Sequence, residues 1–354
     1  MVEPVQQFDV ISMGRIGVDL HPLQPGLPLA QVLSFGRSLG GSAANVVVAA
    51  ARLGHSAAVV ARTGADPFAA YLHQTLTDHG VDDRWVTAVE SQPTPVTFCE
   101  SAAPDDLALY SYRRPTASEL EIHTDELDCF ALRAARVLWL TGSALDEEPS
   151  RSATLAALRC RGGAATTVLD LDRRPALRDG TAAWADPDEA RPHHAEALRH
   201  ATVVVGDLDE CARATGLREP RACAEGLLAA GVHLAVVRLG PKGVLAVHRD
   251  GTTAEVPPVP GAVTGGPGPA HAFGGALCHG LLSGWDPERT VRFATAAAAH
   301  VAAHPGRLLR DADAGGGRGS PERRHDVTGH PGHGSAPGPR ASRTTPRTPR
   351  TPRA

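Results

Sequence analysis

"SAANVVVAAARLGHSAAVVARTG", residues 42–64, holds two secondary-structure elements back to back. Residues 42–54 read as an alanine-rich helix closed by Gly54 at its C′ position, where glycine accepts left-handed backbone without a Cβ clash. Residues 57–64 then form a short apolar run that reads as a buried strand. Upstream, "FDVISMG" (8–14) is a second such run, ending on Gly14. The rhythm returns with "RVLWLTG" (136–142), a helix from about Pro149 to Arg161, "TTVLDLD" (166–172) and "ATVVVGD" (201–207). Strands alternating with helices predict an α/β fold with a mostly parallel central sheet flanked by helices on both faces.

Two stretches break the rhythm. Residues 17–41 and 94–115 read as strand pairs joined by turn residues, too short for crossover helices, and they predict a small β-lid over one end of the sheet. Residues 233–258 read as strand, tight turn, strand, turn, strand, an antiparallel edge on the parallel part. These elements place one domain at 8–304. Residues 305–354 have almost no large apolar side chains and many Gly, Pro, Arg and Thr, a composition that cannot offset the entropy of ordering. Three readings of that segment stay open, a basic arm for nucleic acid or a partner, a disordered solvated tail, and the product of a shifted reading frame, which the T-P-R repeat and the loss of periodicity favour. A single lysine, Lys242, among 34 arginines agrees with a GC-rich gene.

Charge and cysteine usage narrow the function class. The net charge of −4 is uneven, because residues 305–354 carry 10 Arg against 4 acids and leave about −10 on the rest. An acidic body lacks the positive footprint that a nucleic-acid ligand requires. The six cysteines form no C-x-x-C pair, which suggests neither a zinc motif nor a disulfide framework and fits a reducing cytoplasm. The N-terminal residues show no signal-peptide pattern, and no apolar run is long enough to span a membrane.

Three features then recur in a fixed order. "LGGSAANV" (39–46) is a glycine pair feeding a helix, "VVVGDLDE" (203–210) puts acids just after a strand, and "GGPGPAHAFGG" (265–275) is a glycine-rich turn opening a helix. Together with "MGRIGVDL", "PTPVTFCE", "GPKGVLA" and "AFGGALCHGLL", they resemble the ribokinase-like (PfkB) carbohydrate kinases from about Phe8 to Ala303. Within that family the segments are most similar to those of kinases acting on keto-deoxy sugar acids of the 5-dehydro-2-deoxygluconate type, in inositol breakdown.

The resemblance implies ATP and Mg²⁺ as cofactors, a small-molecule sugar acid as acceptor, and a lid surface through which two copies can pair as a homodimer. It implies that Asp19 and Asn45 hold sugar hydroxyls while Gly40 and Gly41 let main chain approach the ligand. Read alone, the glycine pair is also an ordinary tight turn. Arg113 and Arg174 match positions facing the substrate carboxylate, a pairing suited to a planar guanidinium, with Asp172 orienting the same region. On the nucleotide side, Asp207 and Glu210 occupy the family's Asn-x-x-Glu, which orders magnesium through water. The alternative is that these acids cap the next helix. Gly240, Lys242 and Gly243 match the turn along ATP, and read alone they make a hairpin turn. Thr295 stands where the family commonly has asparagine at the adenine.

The loop before the late helix departs most. The family form is Gly-Ala-Gly-Asp, with the aspartate as base and the helix-start N–H groups as anion hole. Here the four positions are Gly268, Pro269, Ala270 and His271. Pro269 lacks an N–H, Ala270 is strained if its backbone needs positive φ, and His271 replaces a carboxylate by an imidazole. A free imidazole with pKa of about 6.5 suits proton transfer near neutrality. The expectation is a carbohydrate kinase impaired by its altered loop. The rivals are a sugar-acid-binding pseudokinase and a kinase of another sugar such as ribose, fructose or a nucleoside.

Overall fold

The computed structural model describes residues 7–24, 26–103, 106–112, 117–163, 165–172, 187–259 and 267–303. The expectations for Arg113, Arg174 and the 305–354 segment lie outside these residues. In chain order the first half comprises β1 (Val10–Met13), β2 (Gly17–Pro22), β3 (Phe35–Gly40), α1 (Ser42–Arg52), β4 (Ala57–Gly64), α2 (Pro67–Asp78), β5 (Val81–Val89), β6 (Val96–Ala103), β7 (Asp106–Tyr112), α3 (Cys129–Ala134), β8 (Val137–Thr141) and α4 (Ser150–Arg161). The second comprises β9 (Thr166–Asp170), α5 (Pro187–Leu198), β10 (Val203–Asp207), α6 (Leu208–Thr215), α7 (Pro220–Ala229), β11 (Leu234–Arg238), β12 (Val244–His248), β13 (Thr253–Val256), α8 (Pro267–Leu282) and α9 (Pro287–Ala303).

Nine strands form one sheet in the order β13-β12-β11-β10-β9-β8-β1-β4-β5. From β11 across to β5 the pairings are parallel, and β12 and β13 add the antiparallel edge expected from residues 233–258. Every residue of β1, β4 and β8 is buried, the pattern of parallel strands covered on both sides. Alternate residues feed two separate cores. Val10, Val59 and Trp139 join the layer of α1, α8 and α9, whereas Ile11, Met13 and Leu138 join the layer containing Leu158 of α4 and Leu227 of α7.

The two interrupting stretches form a separate four-stranded sheet, β3-β2-β6-β7. Each stretch is an antiparallel pair, as read from its turns. What joins the pairs is a parallel contact of β2 with β6, aligning Val18 with Val96 and Asp19 with Thr97.

The sheet order reverses at β1. From β1 the chain builds outward through β4 to β5, and from β8 it builds the other way through β9, β10 and β11. Ligands of open α/β sheets bind beyond the carboxyl ends of the strands at such a reversal. Helix α8 lies across this place. Its last residue, Leu282, accepts a hydrogen bond from Arg136 just before β8 (3.0 Å), and Gly274 sits on Trp139 in the middle of β8. The helix therefore runs antiparallel to the strands and starts at their carboxyl edge. Its glycines permit this course, since a Cβ on Gly275 would lie 2.4 Å from Ala49 Cβ in α1 and one on Gly280 would lie 2.6 Å from Thr290 in α9.

At the opposite edge the His55 ring meets His279 of α8, Nε2 to Nδ1 at 2.8 Å, with Asp9 3.8 Å from His55. Burial and then the neighbouring His279 hold the His55 pKa below its ordinary 6.5. As pH falls past the unfolded value, the unfolded chain takes up that proton first, so stability declines until the folded ring follows. Thermal melts between about pH 7.5 and 5.5 should show a smaller acid-induced loss in His279→Gln than in the wild type. Equal losses would remove the pair from the pH response.

Candidate active site

Three groups of residues converge on the carboxyl edge. The first is the turn into α1. Gly41 has φ +97°, and a Cβ there would lie 2.3 Å from the Arg15 carbonyl, so only glycine fits. A Cβ on Gly40 would lie 2.3 Å from Asp19 Oδ1, which places the Asp19 carboxylate over the bare face of Gly40. Asn45 is buried, and its amide donates to the carbonyls of Leu39 (3.1 Å) and Gly41 (2.9 Å). Asn45 is thus the residue that holds the turn shut, which a surface helix position would not be. Asp19, Gly40, Gly41 and Asn45 form one cluster, joined by Gly14 (φ +149°), whose Cβ would meet Thr141 Oγ1 at 2.6 Å across the β1–β8 reversal.

The second group sits at the ends of β9, β10 and β11. Asp207 caps α6 by accepting from Glu210 N (2.7 Å), and Glu210 Oε2 accepts from Asp207 N (2.6 Å), a capping box. The capping reading of these acids is therefore realised, yet each carboxylate is engaged through one oxygen in that box. Arg238, at the end of β11, reaches Glu210 (3.3 Å) and Asp170 (3.9 Å). Asp172 N donates to Asp170 Oδ1 (3.3 Å). Burial pushes Asp170 well above the ordinary carboxylate pKa and raises that of Glu210, Arg238 opposes both, and like charges add to it, Asp172 at Asp170 and Asp207 with Asp172 at Glu210. Among the described residues, four carboxylates here share one guanidinium. That surplus of oxygen donors is what a hard divalent cation neutralises.

Sequence reasoning did not single out Asp170 or Arg238. The available signal was a charged residue closing an otherwise apolar buried strand, in "TTVLD" and "LAVVR". Gly240 and Lys242 form a short 3-10 turn after β11. Gly243 follows with φ +95°, its bare face against the Val256 carbonyl at 2.0 Å from where a Cβ would stand. Thr295 lies within α9, where its hydroxyl donates to the Val291 carbonyl (2.7 Å).

The third group is the start of α8, which contains Gly268, Pro269, Ala270 and His271 within the helix. Ala270 is helical, so the strain expected from a positive φ does not arise, and among the described residues positive φ falls on glycines. Pro267 and Pro269 cost the helix little, because first-turn N–H groups have no intrahelical acceptor. Those same N–H groups are what an anion would use, and two of the first four positions have none. No acid occupies the first turn. His271 is 4% exposed. It lies one turn before Gly274, ~4.5 Å nearer the carboxyl edge along the helix axis.

A family model described as pfkB family carbohydrate kinase matches residues 7–309. The 5-dehydro-2-deoxygluconokinase of Shouchella clausii is 30% identical over 303 residues, covering 84% of this chain and 90% of that protein. The protein of the same name from Clostridium perfringens is 27% identical over 304 residues, covering 84% and 88%. Among solved structures, the PfkB protein from Polaromonas sp. JS666 superposes with a TM-score of 0.74 at 24% identity, covering 87% of this chain and 99% of that one. A fructokinase with bound ATP from Xylella fastidiosa gives 0.71 at 22% identity, covering 85% and 94%. These two structures establish the likeness of fold. Among the described residues no helix is long and apolar enough to cross a membrane.

Proposed function

Because the chain belongs to the pfkB family of carbohydrate kinases, phosphotransferases with an alcohol group as acceptor, we propose that it phosphorylates the terminal hydroxyl of a keto-deoxy sugar acid. The acid is of the 5-dehydro-2-deoxygluconate type, the donor is ATP with Mg²⁺, the setting is inositol breakdown in the cytoplasm, and the rate is held down by the start of α8. The observation that carries this reading is the split across the β1–β8 reversal. The turn holding Asp19, Gly40, Gly41 and Asn45 is fully built, while α8 opposite it has lost donors and an acid. The relatives named for that sugar acid support the substrate class.

In this reading the Asp19 carboxylate accepts hydrogen bonds from sugar hydroxyls, and Asn45 positions the glycine pair that admits them. Arg113 and Arg174 pair with the substrate carboxylate. Asp207 and Glu210 hold magnesium through water beside Asp170 and Asp172, and the ion when bound offsets phosphate charge. The turn of Gly240, Lys242 and Gly243 and the α9 position of Thr295 border the nucleotide. The N–H groups of Gly268 and Ala270 face the transferring phosphoryl group, and an imidazole nitrogen of His271 takes the proton from the attacking hydroxyl.

A second reading, a sugar-acid-binding protein without useful turnover, is favoured by the missing acid and the two prolines of α8. Calorimetry with the sugar acid and a coupled assay of ADP release separate the two. Slow turnover with binding supports the first, and binding with no turnover supports the second. Asp19→Ala should weaken sugar binding by about 10–100-fold, the value of a hydrogen bond to a charged group. Unchanged affinity in that variant, or tighter binding of ribose or fructose than of the acid, would overturn the substrate assignment.

A further inference from the structure

The second sheet carries a cluster of which the kinase reading uses only Asp19. In β2, Asp19 and His21 lie two residues apart and so share a face. The β2–β6 register aligns Asp19 with Thr97 and Leu20 with Phe98, and one further step brings His21 level with Cys99. The ligand-capable atoms of Asp19, His21 and Cys99 all lie within 4.8 Å of one another. Asp19 is half-buried, His21 is exposed and Cys99 is buried without a disulfide. The Ser38 hydroxyl, on β3 opposite Asp19, stands 3.0 Å from His21 Nε2 and steadies the ring, as outer-sphere partners of metal-binding histidines do.

From this juxtaposition we infer that the second sheet binds one zinc-class divalent ion through the Cys99 thiolate, a His21 ring nitrogen and an Asp19 carboxylate oxygen. Sulfur, nitrogen and oxygen donors together select zinc or cobalt over magnesium, which separates this site from the all-oxygen cluster at β9–β11. Tetrahedral zinc with bonds of about 2.0–2.3 Å sets its ligand atoms about 3.3–3.8 Å apart, so the present spacing closes by about 1 Å of side-chain movement. Three protein ligands leave the fourth position to water or to a ligand oxygen. Binding releases the Cys99 thiol proton to solvent, so affinity rises with pH. Because Asp19 is also the proposed sugar contact, the ion excludes the sugar. That competition rests on the kinase reading, and metal binding itself does not.

Cobalt titration of the full chain without nucleotide or sugar tests the site. One equivalent of Co²⁺ should produce a sulfur-to-cobalt charge-transfer band in the near ultraviolet, and Zn²⁺ should abolish it. The band should disappear in Cys99→Ser and persist in the double variant Cys129→Ser/Cys160→Ser. His21→Ala, a change at an exposed position, should weaken binding by at least the roughly 10–100-fold that loss of a mere outer-sphere partner costs. Binding without the band, or a band that survives Cys99→Ser and vanishes in the double variant, overturns the inference. In the competition arm, Zn²⁺ should weaken sugar-acid binding in the wild type and leave it unchanged in Cys99→Ser. A chain that shows the cobalt band but binds no sugar would sink the substrate assignment and leave the metal site standing.

Discussion

Pro269→Ala combined with His271→Asp is expected to raise the rate of sugar-acid phosphorylation by about 10²–10⁴-fold, the range that a positioned base supplies. The geometry argues for these two positions together. Residue 271 is buried one turn before Gly274, which rests on Trp139, at the end of α8 nearest the β1–β8 reversal. A carboxylate there would be held ionised by the amino end of α8 and could take the proton of the attacking hydroxyl. Pro269→Ala restores one first-turn N–H toward the phosphoryl group, and a single donor of that kind is worth about 10²–10³-fold. Ala270 is helical and needs no replacement, since glycine there would weaken the helix by about 1 kcal/mol. Steady-state kcat with a coupled ADP assay decides the matter. In the parent chain, His271→Ala should abolish whatever turnover exists. A double variant no faster than the parent would show that residue 271 does not reach the acceptor.

Replacing Arg161 by methionine should cost about 2–5 kcal/mol of folding stability, because buried carbonyls left without a donor cost about 1–3 kcal/mol each. Arg161 is 5% exposed at the end of α4. Its guanidinium donates to the carbonyls of Leu132 (2.7 Å), Arg133 (3.1 Å), Ala135 (2.6 Å) and Thr166 (2.8 Å). Three of these belong to the end of α3 and the turn after it, where helix carbonyls otherwise lack donors. The fork thus ties α3, α4 and β9 into one layer. Burial lowers its pKa to about 10, so it keeps its charge near neutrality. Arg161→Lys should recover only part of the loss, since one ammonium cannot span four diverging acceptors. Chemical denaturation gives the difference directly, and a cost below about 1 kcal/mol in the methionine variant would refute the clamp.

The sequence made some of the site legible and left other parts hidden, for local reasons. Gly41 could be read as a close-approach glycine because its neighbours Gly40 and Ser42 mark a strand-to-helix turn. The Cβ distances then supplied the reason. Asn45 was legible as a residue of interest, but its role was not, since its two acceptors are set by how the turn folds back. Asp207 and Glu210 carry the capping-box spacing in the sequence itself, three residues apart before a helix. Arg238 carries no such mark, because its acidic partners lie on other elements, Asp170 at the end of β9 and Glu210 in α6, 28 residues away. Helix α2 and strand β5 went unread, the latter because an edge strand with half-exposed residues lacks the continuous apolar run of β4.

By itself, the order of apolar runs and helical segments determined a parallel sheet with helices on both faces and an antiparallel edge. The departure of residues 268–271 from the family loop was equally plain. Only the tertiary structure decided that β2 pairs with β6, that Arg161 is a buried clamp, that Ala270 is unstrained, and that Asp19, His21 and Cys99 meet. Periodicity and turn chemistry act over a few neighbouring residues, whereas these features depend on pairings between segments far apart in the chain. Register and burial there are fixed when the two cores close around the sheet.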